Sequence, residues 1–232
     1  MYNNKLKAVT FSYDDGTTQD IRLVELMHKY GLKGTFNLNS ERLGENSIMV
    51  RDDLNGLRIA RYRVHPNDVK YVYEGHEVAA HTLTHPNLGN LEKPEIIRQV
   101  EQDRLNLSEL VGYDVVGMAY PYGAMDDNIA GIIRENTGIK YSRTVNYTDS
   151  FDPQEDLLLL KANAFHLHFD KLMAMGQQFI ELEAKTPQIF YIWGHSYELD
   201  FRPDYWNRLE EFFKLISNKD DIFYGTNKDV LL

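Results

Sequence analysis

Short apolar runs alternate along this chain with stretches whose apolar residues recur at helical spacing. Ala8–Tyr13, Gly34–Leu38, Gly75–His81, Met118–Tyr120, Gln188–Trp193 and Ile222–Tyr224 read as buried strands, and Tyr141–Thr144 and Leu157–Lys161 as two more. Between them, Asp20–Tyr30 has apolar residues at 21, 23, 24, 26 and 27 and meets Gly31, which predicts a helix and its stop. Pro94–Val111, Asp127–Asn136, Asp170–Glu183 and Tyr205–Ser217 follow the same period, and Asn67–Tyr73 reads as a shorter helix. Residues 40–65 break the alternation; they are charged and read as an irregular insertion after the second strand. Strand following helix following strand predicts an α/β fold with a parallel sheet and crossover helices. No linker, repeat or low-complexity tract interrupts the pattern, so residues 1–232 are read as one domain.

Composition narrows the function more than the fold. A hydrophobic content of 43% over 232 residues supports a sizeable core. The formal net charge of −10 argues against nucleic acid and anionic membranes as partners, and fits poorly with a strongly acidic polymer. The chain has no cysteine, which removes disulfides and thiol nucleophiles. No apolar run approaches membrane-spanning length, and residues 1–12 lack a secretory apolar core. The expectation is a cytoplasmic protein, or an exported one whose leader is missing from this sequence. Oligomeric state is not legible.

The chemistry gathers where predicted strands end, which in a β/α barrel is the active face. Asp14 and Asp15 stand together after the first strand, before Gly16. Adjacent carboxylates resist joint ionisation unless a cation or a division of labour separates them. His81 and His85, followed by Pro86, supply two imidazoles. One carboxylate with two histidines and an open position is a catalytic zinc pattern; cobalt, nickel or iron are alternatives, and non-haem iron oxygenases use the same donors. Pro121-Tyr122-Gly123 forms a further turn, and His195 follows Trp193-Gly194 on a late apolar run.

These segments resemble the polysaccharide deacetylases of carbohydrate esterase family four, the NodB-type deacetylases, over roughly residues 7–226. The resemblance implies a distorted (β/α) barrel of seven or eight strands. It implies Asp15, His81 and His85 as metal ligands, Asp14 as general base, His195 as general acid and the Tyr122 backbone N–H as an oxyanion donor. Many relatives carry an arginine two residues before the proline of the third motif, tethering the catalytic aspartate. Ala119 stands there, and Arg143 is the candidate replacement. The fourth motif, an aspartate that orients the acid and a tryptophan that lines the acetyl pocket, is not recognisable. His166 and His168 lie in the corresponding region on one predicted face, and Trp193 and Tyr197 are candidate pocket walls. The implied activity is metal-dependent removal of acetyl groups from an N- or O-acetylated carbohydrate. Two alternatives stand beside it: an amidohydrolase on a small amide within the same fold, and a degenerate carbohydrate-binding protein, for which Ala119 and the missing fourth motif speak.

Overall fold

The computed structural model describes residues 2–232. Its eleven strands are β1 (Lys7–Asp14), β2 (Thr35–Leu38), β3 (Asn46–Arg51), β4 (Leu57–Tyr62), β5 (Glu77–Ala80), β6 (Gly117–Ala119), β7 (Tyr141–Tyr147), β8 (Leu160–Ala162), β9 (Ala164–Phe165), β10 (Gln188–Gly194) and β11 (Ile222–Tyr224). The main sheet runs β8-β7-β6-β5-β2-β1-β10-β9, with β11 pairing to β1, and every pairing in it is parallel. The parallel sheet is the one that the strand–helix alternation predicts, and it curls into the nearly closed, distorted β/α barrel that the resemblance implies.

β1 is the organising strand. All eight of its residues are buried, which is why it reads as a continuous run rather than an alternating one. Its Phe11 packs edge-on against Phe212 and Phe213 of the helix Tyr205–Ile216, inside a core that also takes in Leu23, Phe36, Val100, Leu172 and Phe190. Because the strands are parallel, their C-terminal ends open on one side. Asp14 and Asp15, His81, the turn at Pro121–Gly123 and His195 all emerge there, after β1, β5, β6 and β10.

Two elements differ from the sequence expectation. Residues 40–65 are not irregular: β3 and β4 pair as an antiparallel hairpin, Asn46 opposite Tyr62 through Arg51 opposite Leu57. Asn55 and Gly56 at its turn both have positive φ, 57° and 72°, the geometry of tight hairpin turns. The helix expected over Pro94–Val111 is interrupted. Lys93–Ile97 passes through a π-helical turn at Arg98–Gln102 before Asp103–Val111 continues. Asp103, the first residue after the widened turn, reaches back to the site. Two short elements were not expected, β9 and a C-terminal helix Asn227–Leu231, the latter held by a capping box between Thr226 and Asp229.

Candidate active site

Asp15 sits at φ +83° immediately after β1, a left-handed conformation that a non-glycine residue adopts only when its surroundings enforce it. Gly16 follows at φ +61°, where an added Cβ would lie 2.6 Å from Leu38 Cδ2. Thr82, His85 and Tyr122 are also left-handed, at +66°, +63° and +56°. Four strained non-glycine residues in three loops that meet at one end of the barrel mark a site held in shape by the whole fold.

Asp15, His81 and His85 converge: each offers a ligand atom, and the three atoms lie within 4.8 Å of one another. The His81 Nδ1 is 2.7 Å from the Ala119 carbonyl oxygen. A carbonyl only accepts, so Nδ1 carries the proton and Nε2 keeps its lone pair for a ligand. Burial pushes His81 below the ordinary histidine range and His85 down to about 3, so both are neutral imidazoles. The donor set therefore fits a divalent cation. The buried Asp103 carboxylate fixes the loop from behind, accepting from the backbone N–H groups of His81 (2.9 Å) and Ser40 (2.7 Å).

Asp14, beside this cluster, pairs with Arg143. One oxygen accepts from the Arg143 guanidinium and the other from Asn37 Nδ2 at 2.8 Å. Arg143 is wholly buried; it also donates to Ser12 Oγ and the Thr144 carbonyl, and lies 4.3 Å from the Trp193 ring centre. Burial alone would raise the Asp14 pKa. Arg143, with His81 and His195, outweighs it and holds the carboxyl below its usual range. Ala119 on β6 is in register with Arg143 on β7, so the guanidinium arises beside the position that the resemblance implies for an arginine.

His195 Nε2 lies 4.0 Å from Asp14 Oδ2, and its Nδ1 lies 3.1 Å from Glu198 Oε2. Burial disfavours the imidazolium, but Glu198, with Asp15 and Asp14, outweighs it and raises His195 to about 9. His166 is fully buried and its Nε2 contacts the same Glu198 oxygen at 3.1 Å. A Cβ on Gly194 would fall 2.2 Å from the His166 ring, so the glycine is what lets His166 pack against β10. His168, expected on the same face as His166, is instead exposed at the start of a helix. The Tyr122 ring is exposed and meets His85 edge-on at 4.5 Å. Tyr197 is buried beside His195, at 5.3 Å between ring centres.

Sequence reasoning missed Asp103 and three further contributors. Asn37 is in register with Asp14 on the neighbouring strand. Arg61 and Arg63, at the end of the hairpin, both reach Asp15: Arg61 Nη2 is 2.6 Å from Oδ2, and Arg63 Nη2 donates to Oδ1 at 3.2 Å. The signal was present as Asn55-Gly56 between alternating apolar residues, and as arginines two apart, which share a strand face.

Comparison with known proteins agrees with this geometry. The polysaccharide deacetylase family model matches residues 2–141, which contain Asp14, Asp15, His81, His85 and Tyr122. A peptidoglycan-N-acetylglucosamine deacetylase of Bacillus cereus is 30% identical over 130 residues, which cover 55% of this chain and 40% of that protein. The chain thus matches less than half of that relative's length. Among solved structures, a Mycobacterium smegmatis protein assigned as a polysaccharide deacetylase superposes with a TM-score of 0.67 at 16% identity, covering 98% of this chain and 89% of the other. A peptidoglycan N-acetylglucosamine deacetylase in complex with an N-oxidanyl-benzamide superposes at 0.60 with 20% identity, covering 99% and 89%. These likenesses carry the fold past residue 141, through β7 to β11, and together with the family match they place the chain in the polysaccharide deacetylase family.

Proposed function

We propose that this protein is a hydrolase that removes acetyl groups from an acetylated carbohydrate, N-acetylated in the first instance, with a divalent cation held by Asp15, His81 and His85. Zinc suits one carboxylate and two imidazoles. When bound, such a cation supplies Lewis-acid polarisation of an acyl carbonyl and a lowered water pKa. The chain's own residues do the proton work. Asp14, kept ionised by Arg143, accepts a proton from the attacking water. His195, its Nδ1 3.1 Å from Glu198 Oε2, delivers a proton from Nε2 to the departing nitrogen. The backbone N–H of Tyr122, in a turn of fixed geometry, is a preorganised donor for the developing oxyanion.

The observation that carries this reading is the convergence of Asp15, His81 and His85, with the Asp14 carboxylate and the His195 imidazole 4.0 Å apart beside them. Arg143 favours the ionised carboxylate and Glu198 the protonated imidazole, the division expected of a base and an acid with separate tasks. The same contacts weaken the degenerate-binder alternative. Arg143 occupies the place that Ala119 leaves without a guanidinium, and Glu198 supplies an orienting carboxylate where the fourth motif is unrecognisable. The test is acetate release from chito-oligosaccharides, peptidoglycan fragments, acetylxylan and small acetamides. Turnover of a carbohydrate is expected, and release confined to the small amides would overturn the reading.

A further inference from the structure

The β3–β4 hairpin is moored to the site. Thr18 N donates to the Tyr62 carbonyl at 2.7 Å, Val64 N to the Gly16 carbonyl at 2.9 Å, and Gln19 Nε2 to the Ala60 carbonyl at 2.8 Å. These bonds fix residues 60–64 against the loop that carries Asp15, and so fix where Arg61 and Arg63 point. Arg63 is buried, 4% exposed. Its Nε, and the Nε of Arg61, have no hydrogen-bond acceptor among the described residues, and its Nη1 has only the ion-pair contact with Asp15 Oδ1 at 3.1 Å. The Arg61 side chain remains 23% exposed, its guanidinium carbon 4.4 Å from the Tyr197 ring centre.

Asp14 is matched by Arg143, whereas Asp15 is, among the described residues, the carboxylate within ion-pair distance of both the Arg61 and Arg63 guanidinia. A cation on Asp15 would draw on the same carboxylate and leave both arginines short of an acceptor. A buried donor left without a partner is costly, and a guanidinium fork fits a carboxylate in two parallel bonds. The Tyr197 ring, 4.4 Å from the Arg61 guanidinium carbon, is a cation–π partner that restrains the fork.

We propose that Arg61, backed by Arg63, is a carboxylate-binding subsite, and that the sugar this protein takes carries a carboxylate near its acyl group. This deepens the hydrolase reading above and rests on it for the identity of the site. The chain's charge of −10 disfavours a densely anionic polymer, so the subsite suits one carboxylate on a largely neutral saccharide. The acetate product is the other source of a carboxylate.

The experiment measures dissociation constants by calorimetry on the zinc-loaded full chain. The probes are methyl N-acetylglucosaminide, its 3-O-lactyl ether, its 6-carboxylate and sodium acetate. At least one carboxylate sugar should bind about tenfold more tightly than the neutral parent, the scale of one charge-assisted bond. In Arg61→Met that ratio should fall to about one, with zinc content and circular dichroism unchanged, and Arg61→Lys should recover part of it. Equal or absent binding of the sugars overturns the proposal, as does a preference that survives Arg61→Met. Acetate binding as tightly as the carboxylate sugar also overturns it, because Arg61 would then be a product site. Acetate release is scored separately. No release with the ratio intact rejects the hydrolase and keeps the subsite; equal release and equal affinity do the reverse.

Discussion

Replacing Arg143 by methionine tests the internal electrostatics of the site. The arginine has no exposed surface and the Asp14 side chain is 4% exposed, so water cannot take over the ion pair. Methionine approximates the arginine stem and leaves Asp14 as a buried carboxylate with only Asn37 as donor. Breaking one side of a buried pair costs about 3–5 kcal/mol. For a chain of this length that is a fall in melting temperature of about 6–20 °C. The sign with pH follows from Asp14. Its folded-state pKa is depressed, so the pair contributes stability above the usual carboxylate range and loses it as pH falls through the folded value. The deficit of Arg143→Met should therefore be largest at neutral pH and shrink on acidification. The double variant Asp14→Asn with Arg143→Met removes the stranded charge and should regain at least half of the lost stability. The acidic limb of the pH–rate profile should move up in the single variant, because the base then protonates more readily. Urea unfolding of the four proteins at pH 7 and pH 4 reads these effects. A loss below about 1 kcal/mol, the scale of an exposed pair, or strict additivity in the double variant would refute the reasoning.

Asp14→Asn alone should keep the metal and lower turnover by a factor on the order of 10² to 10⁴, as kinetics with parallel metal analysis will show. Glu198→Gln should bring His195 down from about 9 and shift the basic limb of the pH–rate profile to lower pH. Burial opposes ionisation of Glu198, but His195 and His166 outweigh it and hold it at about 2, so its stability contribution is present above the ordinary 4.5 and disappears between there and 2. Acid unfolding should accordingly be less steep in Glu198→Gln. Gly194→Ala should force His166 off β10 and cost about 1–3 kcal/mol in chemical denaturation, the usual penalty for overpacking.

The parts of this molecule that could be read from sequence are those where residue type and spacing carry their own chemistry. Asp14-Asp15 at a strand end and His81 with His85 are such cases, and the long buried runs of β1 and β10 marked the parallel sheet, while its barrel form came from the family resemblance. Arg143 could be named only because Ala119 left a place to fill. Its route to Asp14 depends on the register of β6 with β7, which no local pattern encodes. The hairpin was read as irregular because its charges masked the alternation in Ile48, Val50, Leu57 and Ile59, despite Asn55-Gly56 between them. β9 is two residues long, below any periodicity, and owes its place to pairing with Ile192 and Trp193. The break at Arg98–Gln102 leaves no sequence mark, since a π-helical turn keeps the helical composition.

The central claim is that Asp15, His81 and His85 hold a cation on which acetyl hydrolysis depends. It is tested most directly by stripping the protein of metal and following acetate release from an N-acetylated chito-oligosaccharide as zinc is added back. The account predicts negligible release from the stripped protein, a rise that saturates at one equivalent of zinc, and no restoration at that level in His81→Ala. Full activity in the stripped protein, or restoration of His81→Ala at one equivalent, would contradict it.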